Sequence, residues 1–184
     1  MTVLETQRLY LRPITASDLG PLALLWSNPD VMRYLPSGKP RTVQATRDEL
    51  EYMLHHWQEH KFGTWVIEQK DSRKWIGYCE LQYLHAEPCG VSAEIAAQVK
   101  EVELGYGLAK PYWGKGIAFE AAQAAARYGF ETLKLPQIVA AIHRDNIASR
   151  KILERIGLRE DPSLNFYGTC PHFRLRREDF SIPA

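Results

Sequence analysis

The distribution of hydrophobic and polar positions predicts strands and helices along most of the chain. Strict alternation, as around Leu9 and Leu11, indicates a half-buried strand, whereas Leu50, Met53 and Leu54 lie at helical spacing. On this basis we predict strands over residues 8–12, 62–69, 74–84, 102–108 and 138–143, and helices over residues 15–28, 44–60, 117–130 and 146–157. Two terminal strands are predicted within residues 158–184, and residues 30–43 predict an irregular or partly helical crossing.

The stretch from Val102 to Ser149 has the order strand, glycine turn, helix, strand, helix. Its first strand places apolar side chains on one face and Glu103, Gly105 and Gly107 on the other, because side chains alternate along a strand. Glycines weaken a strand interior unless something approaches the backbone closely. We therefore expect one packed face and one bare face, open to a ligand, with a carboxylate beside it.

The turn after this strand predicts a phosphate site. Gly114, Lys115 and Gly116 stand just ahead of a helix pattern, and amides at a helix N-terminus bind phosphate readily. Strand and turn together suggest a ligand with a pyrophosphate end and a long thin arm. A nucleotide P-loop is excluded because Ile117 follows Gly116, and a dinucleotide fingerprint is excluded because Phe119 replaces its third glycine.

The chain resembles the GNAT superfamily of N-acetyltransferases. Gly114 and Gly116 match the end of that family's acyl-coenzyme A loop, Q/R-x-x-G-x-G/A, although Pro111 stands where Gln or Arg is usual. The runs Trp113–Ala121 and Asn146–Arg150 look like the branch that acetylates ribosomal-protein N-termini. The resemblance extends from about Thr6 to Gly157, most of the chain.

The resemblance implies acetyl-coenzyme A as acyl donor and a primary amine, a protein N-terminus or a small molecule, as acceptor. It implies that the coenzyme lies against the end of the strand, the glycine turn and the start of the last helix. These are Leu108, Ala109, Trp113, Gly114, Lys115, Gly116, Ile117, Ala118, Asn146 and Ser149. A backbone amide near Leu108 or Ala109 would stabilise the thioester oxygen.

Two residues are candidates for the catalytic roles. Glu103 on the open strand face is the candidate base that deprotonates the amine. The alternative interpretation of Glu103 is a carboxylate at the strand edge that forms a salt bridge. Many members of the superfamily protonate the leaving thiolate with a Tyr, which aligns with Leu153 here. In the ribosomal-protein branch a Ser has this role, and Ser149 matches it; the alternative is a bond to its own helix backbone. Asn146 is a good helix N-cap.

The predicted fold class is α/β. An antiparallel hairpin precedes a strand–helix–strand crossover, which requires parallel strands, so the sheet is mixed and mostly antiparallel with helices on both faces. The resemblance implies that the parallel pair splays apart. The 184 residues, 45% hydrophobic, suit one domain, residues 1–184.

Composition excludes several classes of partner. With a net charge of +1, the protein has no overall electrostatic attraction to nucleic acid or to an anionic membrane. Cys79, Cys89 and Cys170 have no paired spacing, and no signal sequence or membrane span is evident, so we expect a cytoplasmic protein, monomer or homodimer. His56 and His60 have metal-capable spacing but no third ligand, so we predict no metal and a solvated face, His55 included.

Several alternatives stay open at this stage. A coenzyme A-binding regulatory protein without turnover and an enzyme with a longer acyl donor fit the same residues. The acceptor could be a peptide N-terminus, a polyamine, an aminoglycoside or a small metabolite amine. Residues 85–100 are acidic, and we predict that they form a plain surface loop. The other interpretations are that they shape an amine pocket or form a subunit contact.

Overall fold

The computed structural model of the protein describes residues 2–35, 37–84, 101–164 and 170–181. Eight strands in these residues form one mixed sheet in the order β1-β2-β3-β4-β5-β6-β8-β7. The strands are β1 Leu4–Glu5, β2 Leu9–Pro13, β3 Thr64–Gln69, β4 Trp75–Tyr83, β5 Val102–Leu108, β6 Gln137–Ala141, β7 Arg159–Glu160 and β8 His172–Arg176. The α-helices are α1 Leu19–Trp26, α2 Pro29–Met32, α3 Val43–His60, α4 Ile117–Glu131 and α5 Ile147–Ile156.

Helices cover both faces of the sheet, as predicted. Leu81 of β4 points toward α4, where a Cβ on Gly129 would lie 3.1 Å from its Cδ1. Tyr78, which has the opposite parity on the same strand, makes an edge-to-face contact with Trp26 of α1 at 5.8 Å. The predicted α/β class with a mixed, mostly antiparallel sheet is therefore confirmed.

The parallel pair β5 and β6 separates soon after it forms. Glu103 and Val139 are the one pair of residues in register between these two strands. By contrast, β4 and β5 pair over the whole of β5, from Tyr83↔Val102 to Gly77↔Leu108. Among the described residues, the C-terminal half of β5 thus has a strand neighbour on one side, as the resemblance implied, and its other edge faces a gap.

The glycine-bearing face of β5 is not bare, which corrects the prediction. A Cβ on Gly105 would lie 2.6 Å from Oε1 of Glu80, and a Cβ on Gly107 would lie 2.6 Å from the ring of Tyr78. Both neighbours are the cross-strand partners of these glycines on β4. The glycines therefore make room for two large side chains of the adjacent strand.

The ends of the chain add details that periodicity did not reveal. β1 was not predicted, because a two-residue strand has no measurable alternation. β7 and β8 pair antiparallel, Arg159 opposite Arg174, and this agrees with the two predicted terminal strands. The predictions for residues 85–100 fall outside the described residues.

Gly107→Ala should lower the free energy of unfolding by about 1–3 kcal/mol, because the new methyl group must displace the buried Tyr78 ring. Urea denaturation measures the loss. Gly20→Ala is the matched control, since a Cβ there meets nothing within 4 Å, and alanine in the helix α1 should keep or raise stability. Equal stability of both variants would contradict the close packing of β4 on β5.

Candidate active site

A cavity of about 440 Å³ lies where β5 ends and where α4 and α5 begin. We call it the α4 cleft, and it is lined by most of the predicted ligand-binding residues: Leu108, Trp113, Gly114, Gly116, Ile117, Ala118, Asn146 and Ser149. The prediction placed Ala109 and Lys115 beside them, and neither lines the cleft. Segments distant in sequence therefore meet around one cavity.

The turn before α4 has the backbone that an anion site requires. Gly114 and Gly116 have φ values of 72° and 73°, in the left-handed region that glycine adopts without strain. Gly116 is the N-cap of α4, so the amides of the next three residues have no partner within the helix. A Cβ on Gly114 would meet nothing within 4 Å. The turn thus fits a phosphate group that approaches the helix N-terminus.

An ion pair from the N-terminal segment holds this turn in place. Arg8 donates through Nε to Glu120 Oε2 at 2.6 Å and through Nη1 to the carbonyl of Lys115 at 3.0 Å. Thr6 Oγ1 donates to the other oxygen of Glu120 at 2.6 Å. Burial alone would raise the pKa of Glu120, but the hydrogen bonds from Thr6 and Arg8 outweigh it and lower the pKa below its usual value. Glu120 therefore stays ionised and ties the first turn of α4 to the segment before β2.

Ser149 has a partner that the sequence did not identify. Its Oγ lies 2.8 Å from the hydroxyl of Tyr106 on β5, and the residue is only 9% exposed. The Tyr106 hydroxyl is therefore the partner that the structure shows for the buried hydroxyl of Ser149. The alternative interpretation was a bond from Ser149 to its own helix backbone. Burial raises the pKa of Tyr106, a rise that the hydrogen bond with Ser149 only partly offsets, so the phenol stays protonated. Asn146 Oδ1 accepts from the Ser149 amide at 3.1 Å, which confirms the predicted N-cap.

Glu103 lies where the parallel strands separate. Its Oε1 accepts a hydrogen bond from the amide of Ala141 at 3.3 Å. A continued parallel ladder would direct this amide to the carbonyl of Leu104, so the carboxylate replaces a ladder partner at the start of the gap. The candidate base is thus placed on β5 beside β6.

The backbone of β5 directs the amides of alternate residues into the same gap. Ala109 donates to the carbonyl of Ile76 at 2.9 Å, so its amide is engaged with β4. Because bonding directions alternate along a strand, the amide of Leu108 points to the opposite edge, away from β4. Of the two amides predicted to face a thioester oxygen, the amide of Leu108 has the required direction.

A second cavity, of about 350 Å³, adjoins the α4 cleft and shares Tyr106 and Ser149 with it. We call it the β4 chamber, because Glu80 and Gln82 of β4 form part of its wall together with Glu103 of β5. Glu49 and Arg41 line another part of it. Tyr34, Leu35 and Asn146 also line both cavities, so the two cavities adjoin along a wall that includes this pair of hydroxyl groups.

The histidines differ from the prediction in one respect. His56 is buried, with Nδ1 at 2.8 Å from the carbonyl of Phe62 and Nε2 accepting from the amide of Tyr83 at 3.1 Å, so it is not on a solvated face. His60 packs against its ring, whereas His55 is exposed as expected. No cluster of three potential metal ligands occurs within the described residues. None of the helices in that part of the chain is long and apolar enough to cross a membrane.

The glycine turn ahead of α4 and the gap between β5 and β6 fit a ligand with a phosphate end and a long thin arm. The family described as "Acetyltransferase (GNAT) domain" matches residues 8–159. The chain therefore belongs to the GNAT acetyltransferase family, whose members use acetyl-coenzyme A, and it is an acyltransferase enzyme.

Known proteins agree with this assignment. YoaA of Bacillus subtilis, described as an uncharacterized N-acetyltransferase, is 29% identical over 165 residues, which cover 90% of this chain and 87% of YoaA. An acetyltransferase structure from Agrobacterium tumefaciens superposes with a TM-score of 0.80 at 26% identity, covering 96% of this chain and 95% of that one. RimL, a ribosomal-protein acetyltransferase solved with coenzyme A, has the same fold, with a TM-score of 0.74 at 16% identity.

 The RimL superposition covers 95% of this chain and 98% of RimL, and at that identity it shows the fold alone.

Sequence reasoning missed two features of the site. Tyr106 alternates with Gly105 and Gly107 and so belongs to the face of β5 that was predicted to pack. Its hydroxyl is the signal that could have identified its role, because a buried phenol needs a partner. The Arg8–Glu120 pair joins residues far apart in the chain, and their spacing carries no signal for the contact.

Proposed function

We propose that this enzyme transfers an acetyl group from acetyl-coenzyme A to a primary amine by direct attack of the amine on the thioester. The observation that carries the proposal is the junction of the two cavities at Tyr106 and Ser149. One cavity has the amides of a helix N-terminus for a pyrophosphate, and the other has carboxylates for an amine.

In this mechanism the α4 cleft holds the coenzyme. The amides at the start of α4 bind the pyrophosphate, and the free edge of β5 binds the pantetheine arm. The amide of Leu108 donates to the thioester oxygen, where negative charge develops in the transition state. Trp113 supports this end of β5, since its Nε1 donates to the Leu108 carbonyl at 2.8 Å.

Proton transfer belongs to the residues at the junction. The C–N bond forms as the C–S bond breaks, and the amine must lose one proton while the leaving sulfur gains one. We assign the first proton to Glu103, directly or through water, and the second to the hydroxyl of Ser149. Tyr106 hydrogen-bonds to Ser149 and orients that hydroxyl.

Gly116→Asp should abolish coenzyme A binding in a folded protein. It places a negative charge where the pyrophosphate meets the helix amides, while Nη2 of Arg8, the nearest atom to a Cβ there, is 3.6 Å away. Titration calorimetry with coenzyme A measures the loss. Gly38→Asp is the matched control, because Gly38 also has a positive φ, 60°, with nothing within 4 Å. Unchanged affinity in a folded Gly116→Asp variant would remove this turn as the binding site.

Ser149→Ala should lower kcat by about 10²-fold or less, because water substitutes in part for a lost proton donor. Coenzyme A affinity should hardly change. Tyr106→Phe should lower kcat less, and the double variant should lose less than the product of the two single losses, since both act on one hydroxyl pair. Steady-state kinetics and calorimetry decide, and parallel losses in kcat/KM and coenzyme affinity would mark Ser149 as a packing residue instead.

Glu103→Gln should depress kcat/KM for the amine near neutral pH and leave coenzyme binding unchanged. A free amine is mostly protonated at neutral pH and needs a base, but at high pH it arrives neutral, so the gap should narrow as pH rises. The amide side chain still offers an oxygen to the Ala141 amide. The measurement is a pH–rate profile of both proteins between about pH 6 and pH 10.

Glu101→Gln on the same strand is the control for that profile, since Glu101 accepts from Gln137 Nε2 at 2.6 Å and does not line the β4 chamber. Equal rates for wild type and Glu103→Gln at every pH would mean that the proton leaves by another route. A uniform drop at every pH would mean that Glu103 positions the acceptor rather than removing its proton.

A further inference from the structure

A further cavity, of about 640 Å³, lies between the N-terminal segment and one side of α4. We call it the N-terminal groove. It adjoins the α4 cleft, because Gly116, Phe119 and Arg155 line both cavities. None of these three residues lines the β4 chamber. The α4 cleft is therefore bordered by the β4 chamber along one wall and by the N-terminal groove along another.

Arg155 of α5 lies at the boundary between the α4 cleft and the groove. Its Cζ is 3.9 Å from the ring centroid of Phe119, which is three residues from Gly116 on the same face of α4. Within the described part of the chain Arg155 belongs to no ion pair, and the adjacent Glu154 pairs with Arg150 at 3.6 Å. A guanidinium that lies over a ring keeps its N–H donors for other partners.

Arg8 presents a second guanidinium to the same turn of α4. Its Nε and Nη1 donate to Glu120 and to the carbonyl of Lys115. Its Nη2 is the nearest atom to a Cβ built on Gly116, at 3.6 Å, and it still has hydrogens to donate. Because Glu120 offsets the charge of Arg8, Arg8 contributes hydrogen-bond donors here and Arg155 contributes the positive charge.

The chemistry of coenzyme A fits this boundary. Its pantetheine arm and its nucleotide leave the pyrophosphate in opposite directions. In the proposed mechanism the arm runs from the turn toward Ser149, so the nucleotide leaves the turn on the side of Arg155 and the groove. The ribose of this nucleotide carries a 3′-phosphate, which has up to two negative charges at neutral pH. Arginine binds phosphate through charge-assisted hydrogen bonds that are frequently bidentate.

We propose that Arg155 binds the 3′-phosphate of coenzyme A beside Nη2 of Arg8, and that this contact selects coenzyme A over carriers that lack this phosphate. The assignment rests on the proposed acetyl transfer and names the part of the donor that the enzyme recognises at its nucleotide end. Phe119 is a positioning residue in this site, because its ring holds the guanidinium of Arg155 at the boundary.

The test compares coenzyme A with 3′-dephospho-coenzyme A by titration calorimetry. The wild type should bind coenzyme A at least about tenfold more tightly, the effect of one charged hydrogen bond. Arg155→Gln should weaken coenzyme A more than the dephospho form and bring the ratio of the two affinities down to about threefold or less. Arg47→Gln is the matched control and should keep the wild-type ratio, since Arg47 is an exposed arginine of α3 that lines neither cavity.

Salt dependence separates a phosphate contact from a change in the shape of the cleft. Salt screens an exposed charge contact, so the wild-type ratio should fall as NaCl rises from about 0.05 M to about 0.5 M. The ratio for Arg155→Gln should stay flat over the same range. Phe119→Leu should lower the ratio by a smaller factor than Arg155→Gln, because the positive charge is kept and the ring that positions it is lost.

The same titrations separate this inference from the proposed function. If the wild type binds both ligands with equal affinity, or if Arg155→Gln weakens both by the same factor, the phosphate assignment is overturned and the acyl-donor site stands. If the wild type binds neither ligand, the proposed function is overturned, and this inference with it.

Discussion

A single register pair, Glu103 with Val139, joins the two parallel strands at the centre of the sheet. Beyond this pair, backbone groups of both strands that a continued ladder would pair are directed into a gap, where they need other partners. The carboxylate of Glu103 satisfies one such group, the Ala141 amide, at the point of separation. The α4 cleft, the β4 chamber and the junction between them all depend on this separation.

The junction brings together groups from three parts of the chain. Tyr106 belongs to β5, Ser149 to α5, and the turn before α4 is held by Arg8 from the N-terminal segment. In the proposed mechanism the acyl carrier and the amine occupy the two cavities and meet at this hydroxyl pair.

Periodicity and cap residues were sufficient to predict the central elements, because α4 and α5 have regular apolar stripes and end signals at Gly116, Asn146 and Gly157. The turn could also be placed, since glycine is favoured where φ is positive. The role of Gly105 and Gly107 could not be predicted, because the side chains that fill the space beside them come from β4. The register between two strands cannot be determined from the spacing of residues within one strand. The contact of Tyr106 with Ser149 was missed for the same reason.

The most direct test of the account is an amide NMR titration of the protein with coenzyme A. The account predicts that the largest shift changes fall on the first turn of α4, on Leu108 at the free edge of β5, and on the start of α5 around Ser149. Small changes are expected on β2, β3 and α3. Changes concentrated away from the α4 cleft, with the first-turn amides of α4 unaffected, would contradict the claim that the splayed strands and this turn form the acyl-donor site.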